Sequence, residues 1–190
     1  MSGGNSVGVS LEDFKTELSS SPDDKRKCLA LYVLGEVGLR MGSSGALEPQ
    51  TFMEYFSKGS EKVHLAAAIA LGRAGAGNVR AYLPQILSSM ESGQKYLLLH
   101  SVKEMLQHST AEAEILEHSA QLWENISSAS QAEDNKAVAA ECIGRLAIID
   151  PTAYLPQLQV SSVSSSLRSN HADFDHRPTS ATQHRASAAW

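Results

Sequence analysis

Apolar residues between positions 11 and 159 return at intervals of three and four, as at Leu11, Phe14 and Leu18. That spacing lines them along one face of a helix. No stretch of this region alternates with period two, so no strand is predicted. A short helix is predicted over Leu11–Leu18. The run Ser21-Pro22-Asp23-Asp24 then reads as a start signal, with Ser21 as the cap, Pro22 at the first helical position and two acids against the positive end of the helix dipole. The helix it opens is predicted to reach about Met41, before Gly42-Ser43-Ser44-Gly45. Further helices are predicted over residues 50–57, over Glu61–Ala74 with Ser60 as cap and Gly75-Ala76-Gly77 as terminator, and from Asn78 across Tyr82-Leu83-Pro84-Gln85-Ile86-Leu87. Gln94–Gln107 follows Ser92-Gly93, Ala111–Ser127 and Glu133–Ile148 flank Ser128-Ala129-Ser130, and Asp150-Pro151 opens a ninth helix at Thr152–Gln159. Residues 1–10 read as a flexible Gly/Ser-rich start, 11–159 as the helical array, and 160–190, with eight serines and three histidines, as a disordered tail.

The helices repeat. Ala81-Tyr82-Leu83-Pro84-Gln85-Ile86 returns as Ala153-Tyr154-Leu155-Pro156-Gln157-Leu158, and Ala70-Leu71-Gly72-Arg73-Ala74 as Cys142-Ile143-Gly144-Arg145-Leu146, both displaced by 72 residues. Val33-Leu34-Gly35-Glu36-Val37 stands 37 residues before the Gly72 copy, which makes the period about half of 72. A further unit fits at Ser101-Val102-Lys103-Glu104-Met105, where lysine takes the place of glycine. Two helices per unit at this period, without strands, predict an all-α fold, an α-solenoid of HEAT-type helix pairs with about four and a half repeats. Glycine inside a helix costs about 1 kcal/mol relative to alanine. Its return at one phase predicts a point where the neighbouring helix passes too close for a side chain, the alternative being an early helix end.

Composition agrees with helix-on-helix packing. With 42% hydrophobic but only 6% aromatic residues, the core must be filled by Leu, Ala, Ile and Val. A net charge of -5 and a pI near 5.8 provide no basic field for direct binding of nucleic acid or anionic lipid. Val63–Gly77, interrupted by His64 and Arg73, falls short of a membrane span. The start Met1-Ser2-Gly3-Gly4 carries no basic stretch followed by an apolar run, and Cys28 and Cys142 lie far apart on apolar helix phases. Both features predict a reduced, cytoplasmic or nuclear protein.

Candidate chemistry is sparse. His64, His100, His108 and His118 show no i, i+4 pair flanked by a carboxylate, so they are read as solvated or half-buried side chains. His171, His176 and His184 beside Asp173 and Asp175 do not form a designed metal site. Gly72-Arg73-Ala74-Gly75-Ala76-Gly77 follows a helix and lacks the lysine of a phosphate loop. Glu36, Glu104 and Glu141 beside the repeated glycine position read as a solvated face, and Cys28 and Cys142 as packing residues. No enzyme activity, metal, cofactor or small-molecule substrate is therefore predicted. What remains is a surface. The second helices of stacked pairs line one face, and Arg73, Lys103, Glu104 and Arg145 recur near one phase of them, making these four the candidate contacts for a protein partner.

Leu31–Gly38, Ala67–Leu87, Gln94–Glu104 with its Leu-Leu-Leu-His-Ser run, and Val138–Leu158 with Glu-Cys-Ile-Gly-Arg-Leu followed by Ile-Asp-Pro together cover roughly Asp23–Gln159. These segments resemble the later HEAT repeats of the cullin-associated and neddylation-dissociated proteins, also called the TATA-binding-protein-interacting 120 family. The resemblance implies a scaffold that wraps unneddylated cullin–RING ligases and exchanges their substrate-receptor modules, with no catalytic residues. It also implies a partial protein, because full-length members are several times longer and continue past Gln159 with further helix pairs. The alternative is a generic HEAT-repeat adaptor that binds another protein with the same surface.

Overall fold

The computed structural model of the chain describes residues 10–44 and 47–159. The expected flexible start falls on residues outside these apart from Ser10, and the expected tail of 160–190 falls wholly outside them. In chain order the helices are α1 (Leu11–Ser20), α2 (Asp24–Met41), α3 (Pro49–Met53), α4 (Glu61–Gly77), α5 (Val79–Ser92), α6 (Lys95–His108), α7 (Glu112–Glu117), α8 (Ser119–Ala129) and α9 (Lys136–Ile149). Short 3₁₀ turns at Gly42–Ser44, Glu54–Phe56 and Glu133–Asn135 join some of them. One compact unit runs to Pro151, and a helix over 151–159 lies, from Thr152 onward, in a second unit. No strand occurs among the described residues, and the fold is all-α.

The helices sort into two layers. α2, α4, α6 and α9 pack side by side in sequence, each against the next, while α1, α3, α5 and α8 lie against the second helices of their own pairs. This is the stacking of a helical solenoid, in which each pair buries its apolar faces against its neighbours. The core follows the junction between the layers. Leu31 and Leu34 of α2, Leu71 of α4, Leu83 and Ile86 of α5, Leu98 and Leu99 of α6, and Leu122 and Ile126 of α8 are all fully buried. Ala66, Ala67, Ala70 and Ala74 give α4 a smooth flank, so its neighbours pack close to its axis.

Local chemistry explains several boundaries. α1 opens with a capping box: Ser10 Oγ accepts from the Asp13 N–H at 3.3 Å, and Asp13 Oδ2 accepts from the Ser10 N–H at 2.7 Å. At α2 the cap is Asp23, whose Oδ1 accepts from the Lys25 N–H at 2.9 Å, and not Ser21. Ser21 instead closes α1 and accepts the Asp23 N–H on its hydroxyl, which leaves Pro22 outside both helices. Gly75-Ala76-Gly77 does not terminate α4, because these residues continue the helix to Gly77. The glycines there answer to packing: a Cβ on Gly77 would overlap the carbonyl oxygen of Gly38 in α2, and one on Gly75 would overlap the Met105 methyl of α6. Gln94 is in the left-handed region at φ 53°, so α6 starts one residue later, at Lys95. The single helix expected over Ala111–Ser127 is broken at His118, where ψ is 8°, although no proline or glycine marks the break.

The repeated Tyr-Leu-Pro-Gln motif has a structural role in its first copy. Tyr82 in α5 is buried, and its hydroxyl donates to the Leu47 carbonyl at 2.8 Å, tying α5 to the segment that enters α3. Tyr82→Phe is expected to leave that carbonyl buried without its donor and to lower stability by about 1–2 kcal/mol. Urea denaturation followed by circular dichroism measures the difference, and an unchanged midpoint would show that the bond contributes nothing net.

Candidate functional site

The residue that follows the repeated glycine position is Glu36 in α2, Arg73 in α4, Glu104 in α6 and Arg145 in α9. The sign alternates along the row of second helices. Each helix is wound so that this position lies toward the next, and the structure joins three of the four. Arg73 Nη1 lies 3.4 Å from Glu36 Oε2, and Arg73 Nε lies 3.3 Å from Glu104 Oε2. The ladder extends sideways, with Arg40 Nε on Glu36 Oε1 at 2.8 Å and His108 Nε2 on Glu104 Oε2 at 3.4 Å. The bond from Arg40, aided by the charges of Arg40 and Arg73, holds the Glu36 carboxyl below its ordinary range.

Lys103 points to the other side of Glu104 and reaches Glu141 Oε2 of α9 at 3.6 Å. Arg73, Glu104 and Lys103, three of the four candidate contacts, are thus partnered across helix junctions. The fourth, Arg145, has its Nε buried without a hydrogen-bond partner. Glu104 is 12% exposed, so its pairing is the least screened of the ladder, whereas Glu36 at 37% and Glu141 at 54% remain in contact with solvent. The arrangement is a striped edge of alternating charge laid over close helix crossings.

Below the ladder the crossings are built on the glycines. A Cβ on Gly35 would stand 2.7 Å from the Cα of Ala70, and one on Gly72 would overlap the Ser101 carbonyl and stand 2.7 Å from the Glu104 Cβ. Both glycines are deep inside their helices, so the close-approach reading holds for them and the early-end reading does not. Gly144 differs: no heavy atom is found within 4 Å of its Cβ position. Where Ser101 crosses α4 its Oγ donates to the Ala68 carbonyl at 2.8 Å, and where Cys142 crosses α6 its Sγ donates to the Leu99 carbonyl at 3.3 Å. Burial pushes the Cys142 thiol up to about 12, so it is held neutral.

The histidines do not converge. His100 is half-buried against the edge of Tyr96, with ring centroids 4.8 Å apart, and burial lowers its pKa. Its Nε2 and that of His64 are buried without partners. No group of three His, Cys, Asp or Glu side chains suited to a metal occurs among the described residues, and no described helix is long and apolar enough to cross a membrane. A second open feature lies at the first pair. Cys28, Leu29, Tyr32 and Leu65 line a shallow apolar groove rimmed by Asp24, Lys25 and Lys62, with Leu29 61% exposed. The sequence showed the ladder residues one by one. The alternation of their signs from unit to unit was the signal that would have joined them.

No family model matches the chain. It is 52% identical over 160 residues to the Emericella nidulans protein named cullin-associated NEDD8-dissociated protein 1, C-terminal part, a match that covers 83% of this chain and 15% of that protein. It is 36% identical over 146 residues to cullin-associated NEDD8-dissociated protein 1 of Drosophila melanogaster, and 34% identical over 154 residues to that of Arabidopsis thaliana. These cover 72% and 76% of this chain and 12% of each relative. The chain spans 12–15% of the length of these curated relatives. A stacked all-α array with three such matches belongs to the cullin-associated NEDD8-dissociated protein family.

Proposed function

We propose that this chain is a protein-binding scaffold that regulates the assembly of SCF-type cullin–RING ubiquitin ligases by engaging an unneddylated cullin in the cytoplasm or nucleus. The observation that carries the reading is the 52% identity to a protein whose name describes cullin association and NEDD8 dissociation. The fold supports it: the second helices stack side by side, and Arg73, Lys103 and Glu104 on them form ion pairs across the helix junctions that a charged partner surface can exchange with. Arg73, Lys103, Glu104 and Arg145 are the contacts assigned to that edge.

The test is a pull-down of purified unneddylated and neddylated cullin–RING complexes on the immobilised full chain, with wild type compared against a variant carrying Arg73→Glu, Lys103→Glu and Arg145→Glu. Wild type is expected to retain the unneddylated form, and the variant, if its circular dichroism shows a folded helical chain, to retain it about tenfold less. Failure of folded wild type to retain any cullin would remove the cullin reading and leave a generic HEAT-type adaptor. Equal retention by wild type and folded variant would remove Arg73, Lys103 and Arg145 from the contact.

A further inference from the structure

Two lysines beside the apolar groove between α2 and α4 carry no ion pair. The two helices run parallel, since Gly35 faces Ala70 and Gly38 faces Ala74, so Lys25 and Lys62, each the second residue of its helix, stand together at one end of the groove. Cys28 and Tyr32 form one wall and Leu65 the other, around a volume of about 460 Å³. Leu29, which also borders a second hollow with Phe14 and Ala30, is the crest of α2 between the two. Both walls belong to helices that pack directly on each other. Arg40, Arg73 and Lys103 on the same row of helices each reach a carboxylate, and Asp24, the acid on this rim, is engaged by Lys27 at 4.0 Å. Asp23 caps α2, and Glu61 stands outside the groove lining. Lys25 and Lys62 have no ion pair among the described residues, so two free cations border an apolar floor.

We infer that this groove binds a short peptide segment of a partner protein, in which one large apolar side chain lies against Cys28, Tyr32 and Leu65 and is flanked by acidic residues that pair with Lys25 and Lys62. Charge and shape select this occupant. A segment with acids on both sides of its anchor meets each lysine with a carboxylate, whereas a basic one would be repelled at the rim. The groove is shallow, so a free small molecule would stay largely in water, while an apolar anchor covers the ring of Tyr32, which is 43% exposed. The inference goes beyond the cullin reading and stands apart from it, because none of Arg73, Lys103, Glu104 and Arg145 lines the groove.

The probe is the peptide acetyl-Gly-Asp-Phe-Asp-Gly, fluorescently labelled at its C-terminus, titrated into the full chain and followed by anisotropy. Saturable binding is expected, about tenfold weaker when alanine replaces the phenylalanine. It is expected to be about tenfold weaker also for a chain carrying Lys25→Glu and Lys62→Glu, which should instead prefer acetyl-Gly-Lys-Phe-Lys-Gly. Both lysines are exposed, so the variant keeps its fold, which circular dichroism checks. Cys28 reports the place of binding. It is partly exposed on the groove wall, whereas Cys142, the other cysteine of the chain, is completely buried, so alkylation of Cys28 by iodoacetamide should slow when the peptide is saturating. No saturable binding up to about 1 mM, binding indifferent to the lysine changes, or unchanged alkylation of Cys28 would overturn the inference. So would sedimentation showing wild type self-associated and the lysine variant monomeric, because a second copy would then be the occupant.

Discussion

Gly72→Ala should destabilise the protein by about 3 kcal/mol, while the same substitution at Gly144 should stabilise it by about 0.5–1 kcal/mol. The two glycines stand at one phase of the repeat, both in helix interiors, and intrinsic propensity favours alanine equally at each. Surroundings reverse the sign. At Gly72 the new Cβ would meet the Ser101 carbonyl and the Glu104 Cβ at 2.7 Å, atoms of the neighbouring backbone and of a side chain held by its own ion pair. Neither can swing away, so α4 and α6 must separate, and the Ser101–Ala68 hydrogen bond is stretched with them. At Gly144 nothing lies within 4 Å, and only the gain in helix propensity is felt. Urea unfolding monitored at the helical circular-dichroism band gives both values. Equal and stabilising shifts at the two positions would show that α6 does not cross α4 as closely as described.

Raising the pH from 8 to 10.5 should cost the protein about 2 kcal/mol through Cys142 alone. The thiol is completely buried and donates to the Leu99 carbonyl, and its folded pKa stands near 12 against an ordinary value of 9.0. A raised pKa means that the native state keeps its proton while the unfolded chain gives it up. The stability is therefore fully present below pH 9 and falls as pH rises from there toward about 12, by about 1.4 kcal/mol per pH unit. Tyr82, whose phenol is also pushed up by burial, acts in the same direction at higher pH. Cys142→Ala separates the contributions: the variant is less stable at every pH from lost packing, but its loss between pH 8 and 10.5 should be smaller than that of wild type by about 2 kcal/mol. Parallel curves for the two proteins would mean that the thiol ionises freely in the folded state.

Most helices were legible because an array of pairs puts its signals close together in the chain. Leu31, Leu34 and their counterparts repeat with the helical period, the glycines recur at one phase, and capping residues stand near their helices. Boundaries failed where a residue type serves two purposes. Gly75 and Gly77 look like terminators, yet they continue α4 because Gly38 and Met105 press against it. Ser21 looks like a cap for the helix that follows, yet it closes the one before, since Asp23 stands nearer and accepts the Lys25 N–H. The break at His118 has no local signal at all.

The candidate surface divides in the same way. Period, pairing of helices, all-α class and the phase that carries Arg73, Lys103, Glu104 and Arg145 are properties of residues within one helical turn or one repeat of each other, and the sequence alone determined them. Which of these charges are joined depends on where residues some thirty to forty positions apart arrive when the helices stack, and that was decided by packing. Arg73 meets Glu36 and Glu104 because Gly35 and Gly72 let three helices cross closely enough for their side chains to span the gaps. Arg145 Nε is buried without a hydrogen-bond partner, and no heavy atom lies within 4 Å of the Cβ position of Gly144, so the close crossing that joins the other charges is not repeated among the described residues there.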